Sequence, residues 1–445
     1  MFKLRPYQED KSNEVVSVLN THKLCYLNAE VRTGKNHISL SAIRKLCLRN
    51  VLFLTKKKAI NGVLSDYAMG GYADTFNITV INYESMSKVN QTGYDAIITD
   101  ESHSFAAFPK ASSRTKSVKD IISKNFNAVH IYLSGTQIFH QFWVNHRTEF
   151  SKMTFYKWAK SGFVEVTKKR VGKFEVNDYS VANYDKIMQV IDKYIVRLTQ
   201  KQAGFKTSIT EHIHDVQMQN KTYEIMQELK KNGILEGQEG DIAPNSMAEM
   251  KQIFHQLSSG SVRIVTDIVP NIDKKTGLQK QDDSGEPMVR MIKKAVTIDD
   301  SKIKYIAETF KGKKLAIFYK FQHELIMLKD FFKDDLCTDL DVFNWSDKHI
   351  AYQFVSGREG VNLSKADCLI FYNLDYSAVS YWQSRDRLTT SDRLENDVHF
   401  IFAKGGFERE VLKKLNGKKN FTTSTFIESM GQSINKQMFT NNKKR

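Results

Sequence analysis

Two stretches of this chain repeat one alternation: a short apolar run, a polar loop, a helical stretch, then another apolar run. The early runs are Leu24 to Leu27, Val51 to Leu54, Ile78 to Ile81, Ala96 to Thr99 and Val129 to Leu133. The late ones are Leu315 to Tyr319, Tyr352 to Phe354, Cys368 to Tyr372 and Val398 to Phe402. Strands without a polar face need helices on both sides, so the pattern predicts α/β lobes with parallel sheets. Between the two stretches lie long charged helical segments, Lys221 to Lys231 and Met247 to Leu257, separated by Gly- and Asp-rich loops. The expected organisation is two α/β parallel-sheet lobes in tandem, at 1–155 and 301–420. A linker and largely helical insertion would occupy 156–300, and a C-terminal helix with a basic tail 421–445.

The 445 residues suffice for two or three cores. No apolar run approaches the roughly 20 residues of a membrane span, and MFKLRPYQED lacks a secretory h-region. A soluble, cytoplasmic, monomeric protein is expected. The four cysteines, Cys25, Cys47, Cys337 and Cys368, form no C-x-x-C pair, which argues against structural zinc on thiolates and against a disulfide framework. Glu211-His212-Ile213-His214 puts two histidines on one face of a strand. A solvated or cross-strand role is expected there rather than a metal site. Lys and Arg total 66 against 50 Asp and Glu, a formal charge of +16. That favours a polyanionic partner, since Lys and Arg displace condensed counterions from phosphates.

Three motifs carry chemistry. Glu30-Val31-Arg32-Thr33-Gly34-Lys35-Asn36 follows the first strand and opens a helix, the context of a phosphate loop. Backbone N–H groups and the helix N-terminus would cradle phosphates, and Lys35 would reach the β/γ oxygens. The first glycine of G-x-x-x-x-G-K-[ST] is missing. Asn36 takes the place of the Ser/Thr that ligates Mg2+; its amide oxygen is a bulkier donor. Asp100-Glu101-Ser102-His103 ends an apolar strand, where a parallel sheet presents its ligand crevice. Asp100 is the candidate for Mg2+ and Glu101 for orienting and deprotonating water. Ser134-Gly135-Thr136 follows the fifth strand and suits a sensor of nucleotide state.

With Leu4-Arg5-Pro6-Tyr7-Gln8 upstream, these motifs make the chain resemble superfamily-two helicases, and among them the Swi/Snf-type DNA translocases in a compact form like those bacteriophages encode. A phage-encoded chain would work in the host cytoplasm. The resemblance covers about residues 1–415 and implies RecA-like lobes. It implies ATP contacts at Arg5, Gln8 (reading the base), Glu30 to His37, Gly360 and Gln383. His103, Ser134, Gly135 and Thr136 would couple nucleotide state to motion. Thr55, Lys56, Asn82, Tyr83 and Ser356 would touch nucleic acid. Tyr194 to Thr199 resembles the segment linking the lobes, Met250 to Gln256 the helix after it, and Ser356 to Leu363 motif V. Gln383-Ser384-Arg385-Asp386-Arg387 resembles the start of motif VI. Its second arginine, expected seven residues after the glutamine, is replaced by Thr390. Taking the helix to continue, Arg387 ranks first for a phosphate contact and Arg393 for the arginine finger, with Arg385 the weaker candidate.

The implied function is an ATP- and Mg2+-dependent motor on double-stranded DNA. Two alternatives stay open: a strand-separating or annealing helicase on branched DNA or RNA, and a DNA-binding protein with a decayed ATP site. Phe139, Phe142 and Trp143 are expected in the core or at a domain contact rather than stacked on bases.

Overall fold

The computed structural model describes residues 3–105, 110–134, 139–171, 174–273, 276–281, 285–354, 361–390 and 393–417. The chain divides into two units, Met1–Lys206 and Thr207–Arg445.

In the first unit, β1 (Leu24–Ala29), β2 (Asn50–Thr55), β3 (Asn77–Asn82), β4 (Ala96–Asp100), β5 (Val129–Leu133) and β8 (Ile195–Leu198) form one sheet, in the order β3-β2-β4-β5-β1-β8. Every pairing in it is parallel. The period of two along each strand splits the apolar residues between two cores, one per face. Cys25, Leu27, Phe53, Ile98 and Ile131 enter one core, with Val15 and Leu19 of α1 (Pro6–His22), Ile38 and Ile43 of α2 (Lys35–Lys45) and Val63 of α3 (Ile60–Met69). Leu24, Tyr26, Leu52, Ile97 and Tyr132 enter the other, where Phe139 and Phe142 are buried as expected. Lys119 Nζ stands 3.6 Å from the centre of the Trp143 ring.

The second unit repeats this arrangement. Strands β9 (Ser208–Val216), β12 (Leu315–Tyr319), β13 (Leu336–Cys337), β14 (His349–Gln353), β15 (Cys368–Phe371) and β16 (Glu395–Ala403) form a parallel sheet ordered β13-β14-β12-β15-β16-β9. Ala316, Phe318, Leu369, Phe371 and Phe400 face one core, and Leu315, Ile317, Ile370 and Ile401 the other. Two parallel six-stranded sheets with helix-covered faces make both units RecA-like lobes. Among the described residues no helix is long and apolar enough to cross a membrane.

One buried ion pair ties two helices of the second lobe. Lys302 Nζ, on Ser301–Thr309, lies 3.1 Å from Glu408 Oε1 at the start of Glu408–Asn416, with side chains 1% and 0% exposed. The same carboxylate oxygen accepts the Ala403 N–H. Breaking one side of such a pair strands a buried charge, at about 3–5 kcal/mol. Glu408→Gln is therefore expected to lower the second lobe's stability to urea by about that amount. A loss below about 1 kcal/mol would show that the pair is not a structural element.

The middle of the chain differs from expectation in two ways. It is not a separate insertion: the boundary falls at 206/207, β8 completes the first sheet, and β9 joins the second. Nor is it largely helical. The expected helices are present at Asn220–Asn232 and Met247–Leu257, but two antiparallel hairpins accompany them. These are β6 (Val164–Val171) with β7 (Phe174–Ala182), and β10 (Ser261–Pro270) with β11 (Val289–Thr297). The tail from residue 418 lies outside the described residues.

Candidate active site

The site is built at the carboxyl ends of β1, β2, β4 and β5, the edge where a parallel sheet presents its ligand crevice. After β1 the chain runs through Glu30 to Gly34 and enters α2 at Lys35. Arg32 and Gly34 both have left-handed backbone, with φ of 67° and 81°. At Gly34 a side chain is doubly excluded, because a Cβ there would come within 2.1 Å of Gln8 Nε2. Thr33 Oγ1 donates to the Glu30 carbonyl at 2.8 Å, closing the loop on itself. From the segment after β8, the Gln200 N–H donates to Glu30 Oε2 at 2.6 Å and Gln200 Nε2 to the Val31 carbonyl at 2.9 Å. Gln8 is braced in turn, its Oε1 accepting the Arg5 N–H at 3.0 Å. The first helical bond of α2 runs from Ile38 N to Gly34 O. The amides of the first turn of α2 precede that bond, the position at which helix N-termini bind anions.

The acid pair lies at the end of β4. Asp100 Oδ1 accepts the Glu101 N–H at 2.9 Å and Oδ2 accepts the Thr55 hydroxyl at 2.8 Å. Tyr83 donates its hydroxyl to the Asp100 carbonyl. Glu101 itself is left-handed, with φ of 49°, a conformation uncommon outside glycine. His103 Nδ1 lies 3.1 Å from Glu101 Oε2 and 3.2 Å from Ser134 Oγ, so one imidazole touches both the acid pair and the end of β5. Burial and the neighbouring Glu101 charge push Asp100 up to about 6, against Lys35 and Thr55, which lower it. Burial also raises Glu101, but the His103 hydrogen bond and the charges of Lys35, His103 and Lys56 outweigh it and hold that carboxyl at about 2. Two adjacent acids, one of them reluctant to ionise, are a donor set that an incoming cation relieves.

Asn36 is turned sideways. Its Nδ2 donates to Asp66 Oδ2 on α3 at 2.8 Å, and His37 Nε2 approaches Asp66 Oδ1 at 3.5 Å. The amide nitrogen is thereby committed to α3, and the amide oxygen is the atom the side chain has for a metal. Asn36→Thr is expected to lower the Mg2+ concentration needed for half-maximal ATP turnover. An unchanged Mg2+ dependence would make Asn36 a strut to α3 only.

Among the residues assigned to nucleic acid, Thr55 and Tyr83 are placed otherwise. Both are buried, and both hydroxyls support Asp100. Asn82 is half-buried and donates to Glu84 Oε2 at 3.0 Å. Lys56 is half-buried, and Lys57 and Lys58 beside it are exposed. Gly135, Thr136, Ser356 and Gly360 lie outside the described residues.

In the second lobe, the helix carrying Gln383 is Ala378–Arg385, followed by a single 3-10 turn at Asp386–Leu388. The helical register assumed for Arg393 therefore does not exist. The Arg393 guanidinium is spent on backbone: it donates to the carbonyls of Glu395 (3.1 Å), Ser364 (3.3 Å), Ala366 (2.6 Å) and Asp367. It pins the loop before β15 and is withdrawn as the finger. Arg385 Nε meets Glu211 Oε1 at 2.5 Å, an ion pair within the lobe. Arg387 is buried, and its carbonyl accepts the Leu363 N–H at 3.2 Å, beside motif V.

Gln200, Asp66 and Gln141 were not among the expected site residues. Gln141 Nε2 donates to Ser102 Oγ at 2.9 Å and to the Tyr26 hydroxyl at 3.2 Å, holding the segment after β5 against the acid pair. No local motif marks these three, because each acts through a contact distant in sequence.

Both lobes are RecA-like, and the first carries the Gly34–Lys35 loop and the Asp100–Glu101 pair at the carboxyl ends of its strands. Residues 1–139 match the family model described as "Type III restriction enzyme, res subunit". No curated protein matched the chain. Among solved structures, the Sulfolobus solfataricus SWI2/SNF2 ATPase core in complex with dsDNA is similar at 14% identity, over 97% of this chain and 94% of that one, with a TM-score of 0.38. A likeness that distant carries no weight by itself, and the fold rests on the strand order of each lobe.

Proposed function

We propose that this chain is an ATP-driven motor on nucleic acid, with double-stranded DNA as its track. The observation that carries this reading is the His103 contact to both Glu101 and Ser134. A hydrolytic carboxylate joined through one imidazole to the end of the next strand is a device for reporting nucleotide state, which a simple phosphatase does not need. The family match over residues 1–139 supports nucleotide use, and the charge of +16 supports a phosphate-backbone partner.

In this reading the α2 amides and Lys35 hold the phosphates, and Gln8, beside Gly34, reads the base. Asp100, supported by Thr55, and the Asn36 amide oxygen would hold Mg2+, whose charge offsets that of the phosphates. Glu101, kept ionised, orients the attacking water. His103 passes the change at Glu101 to Ser134. Arg387 is the second lobe's candidate for a phosphate contact, on its place in the motif that begins at Gln383. Lys56, Lys57 and Lys58, just after β2, would contact the DNA backbone, since non-specific tracking needs phosphate contacts more than base readout.

Translocation and strand separation are told apart by two substrates. ATP-dependent displacement of a third strand from a triplex, with little unwinding of a forked duplex, is the expected outcome. Efficient unwinding of the fork without triplex displacement would assign strand separation instead.

A further inference from the structure

We infer that His212, Asp397 and His399 form a binding site for a divalent transition-metal ion of the zinc type, on the edge of the second lobe's sheet. In the parallel register of β9 and β16, His212 lies directly opposite His399, and Asp397 is two residues before His399. Side chains two apart share a face of a strand, so both histidines and the aspartate project together, and His214 joins them from β9. His212, Asp397 and His399 each offer a ligand atom within 4.8 Å of the other two. Zinc bonds of about 2.0–2.1 Å place tetrahedral ligands about 3.4 Å apart, so small side-chain rotations close the site.

Two further observations favour a ligand over a purely structural cluster. His399 is 8% exposed, and its Nε2 is buried without a hydrogen-bond partner. Such an atom is costly unless something fills it. Its other nitrogen is already fixed: His399 Nδ1 meets His214 Nε2 at 3.0 Å, and His214 Nδ1 meets the Tyr305 hydroxyl at 2.8 Å. Ligating histidines are typically oriented by this kind of outer contact. The site is also open to ions, since the His212 and Asp397 side chains are 40% and 49% exposed and lie 2.8 Å apart. Two imidazoles and one carboxylate suit zinc and its neighbours rather than Mg2+ or Ca2+, which prefer all-oxygen sites. The strand so held, β9, is the first element after the lobe boundary at 206/207 and lies at the edge of its sheet. A bound ion would staple it to β16.

The test uses the full chain stripped of metal and titrated with Zn2+ against a chromophoric chelator, and separately with Co2+. Wild type and His323→Ala should each take up one equivalent that His399→Ala and Asp397→Ala lack. Zn2+ should raise the unfolding temperature of the first two proteins and leave the other two unmoved. The cobalt form should show tetrahedral d–d absorption without a thiolate charge-transfer band. His212→Asn, which keeps a polar partner for Asp397, serves the same purpose if His399→Ala does not fold. Equal uptake by wild type and the site variants would overturn the inference, as would a thiolate band that places the metal on cysteine.

Discussion

Glu101→Gln is expected to bind ATP within a few-fold of wild type and to hydrolyse it about 10²- to 10⁴-fold more slowly, the range of a lost general base or water-orienting group. The variant keeps the size of the side chain and removes its charge. The charge is the feature the surroundings protect: His103, Lys35 and Lys56 hold this carboxyl at about 2 against the burial that would raise it. Held ionised, the carboxylate would be available to orient the attacking water. The Glu101 backbone bond to Asp100 Oδ1 is untouched by the change, which leaves Asp100 in place. Turnover at the wild-type rate would remove Glu101 from the chemistry. Loss of ATP binding together with turnover would make it a structural residue of the loop after β4.

Arg387→Ala is expected to cut turnover about 10³- to 10⁵-fold while ATP and DNA affinities stay within a few-fold, because a finger stabilises charge that develops only in the transition state. Arg393→Ala makes the contrast. Its guanidinium serves four carbonyls around β15 and β16, so its loss should appear as reduced stability of the second lobe. Any fall in activity should then follow the folded fraction. If Arg393→Ala lost turnover at full stability and Arg387→Ala kept it, the roles given to the two arginines would be reversed.

The strands were legible because a sheet covered on both faces writes itself as unbroken apolar runs. Leu24 to Leu27 and Leu315 to Tyr319 belong to strands that are almost wholly buried. The placement of the Glu30 to Lys35 loop after β1 and of the acid pair at the end of β4 was legible because each is continuous in sequence and follows a strand. The hairpins were missed although their signal was present. Ser261 to Pro270 is rich in β-branched residues, and Val164 to Thr167 alternates, but the charged helices nearby set the reading of the whole region. Arg393 was misread because a helical period was carried past Arg385, where no Gly or Pro marks the end. Thr55 and Tyr83 were placed by motif position alone, whereas burial turns their hydroxyls to Asp100. Gln200 and Asp66 are tertiary partners of the phosphate loop, 170 and 30 residues from the atoms they touch, and only folding reveals them.

The central claim, a nucleotide site whose turnover is governed by a DNA track, is tested most directly by the steady-state ATPase rate. It is measured for the full chain with Mg2+, alone and with double-stranded DNA, single-stranded DNA or RNA of equal length. The expected result is slow turnover alone and stimulation of at least about tenfold by double-stranded DNA, exceeding that by the other two and lost in Glu101→Gln. A rate unchanged by every nucleic acid, or no turnover under any condition, would contradict it.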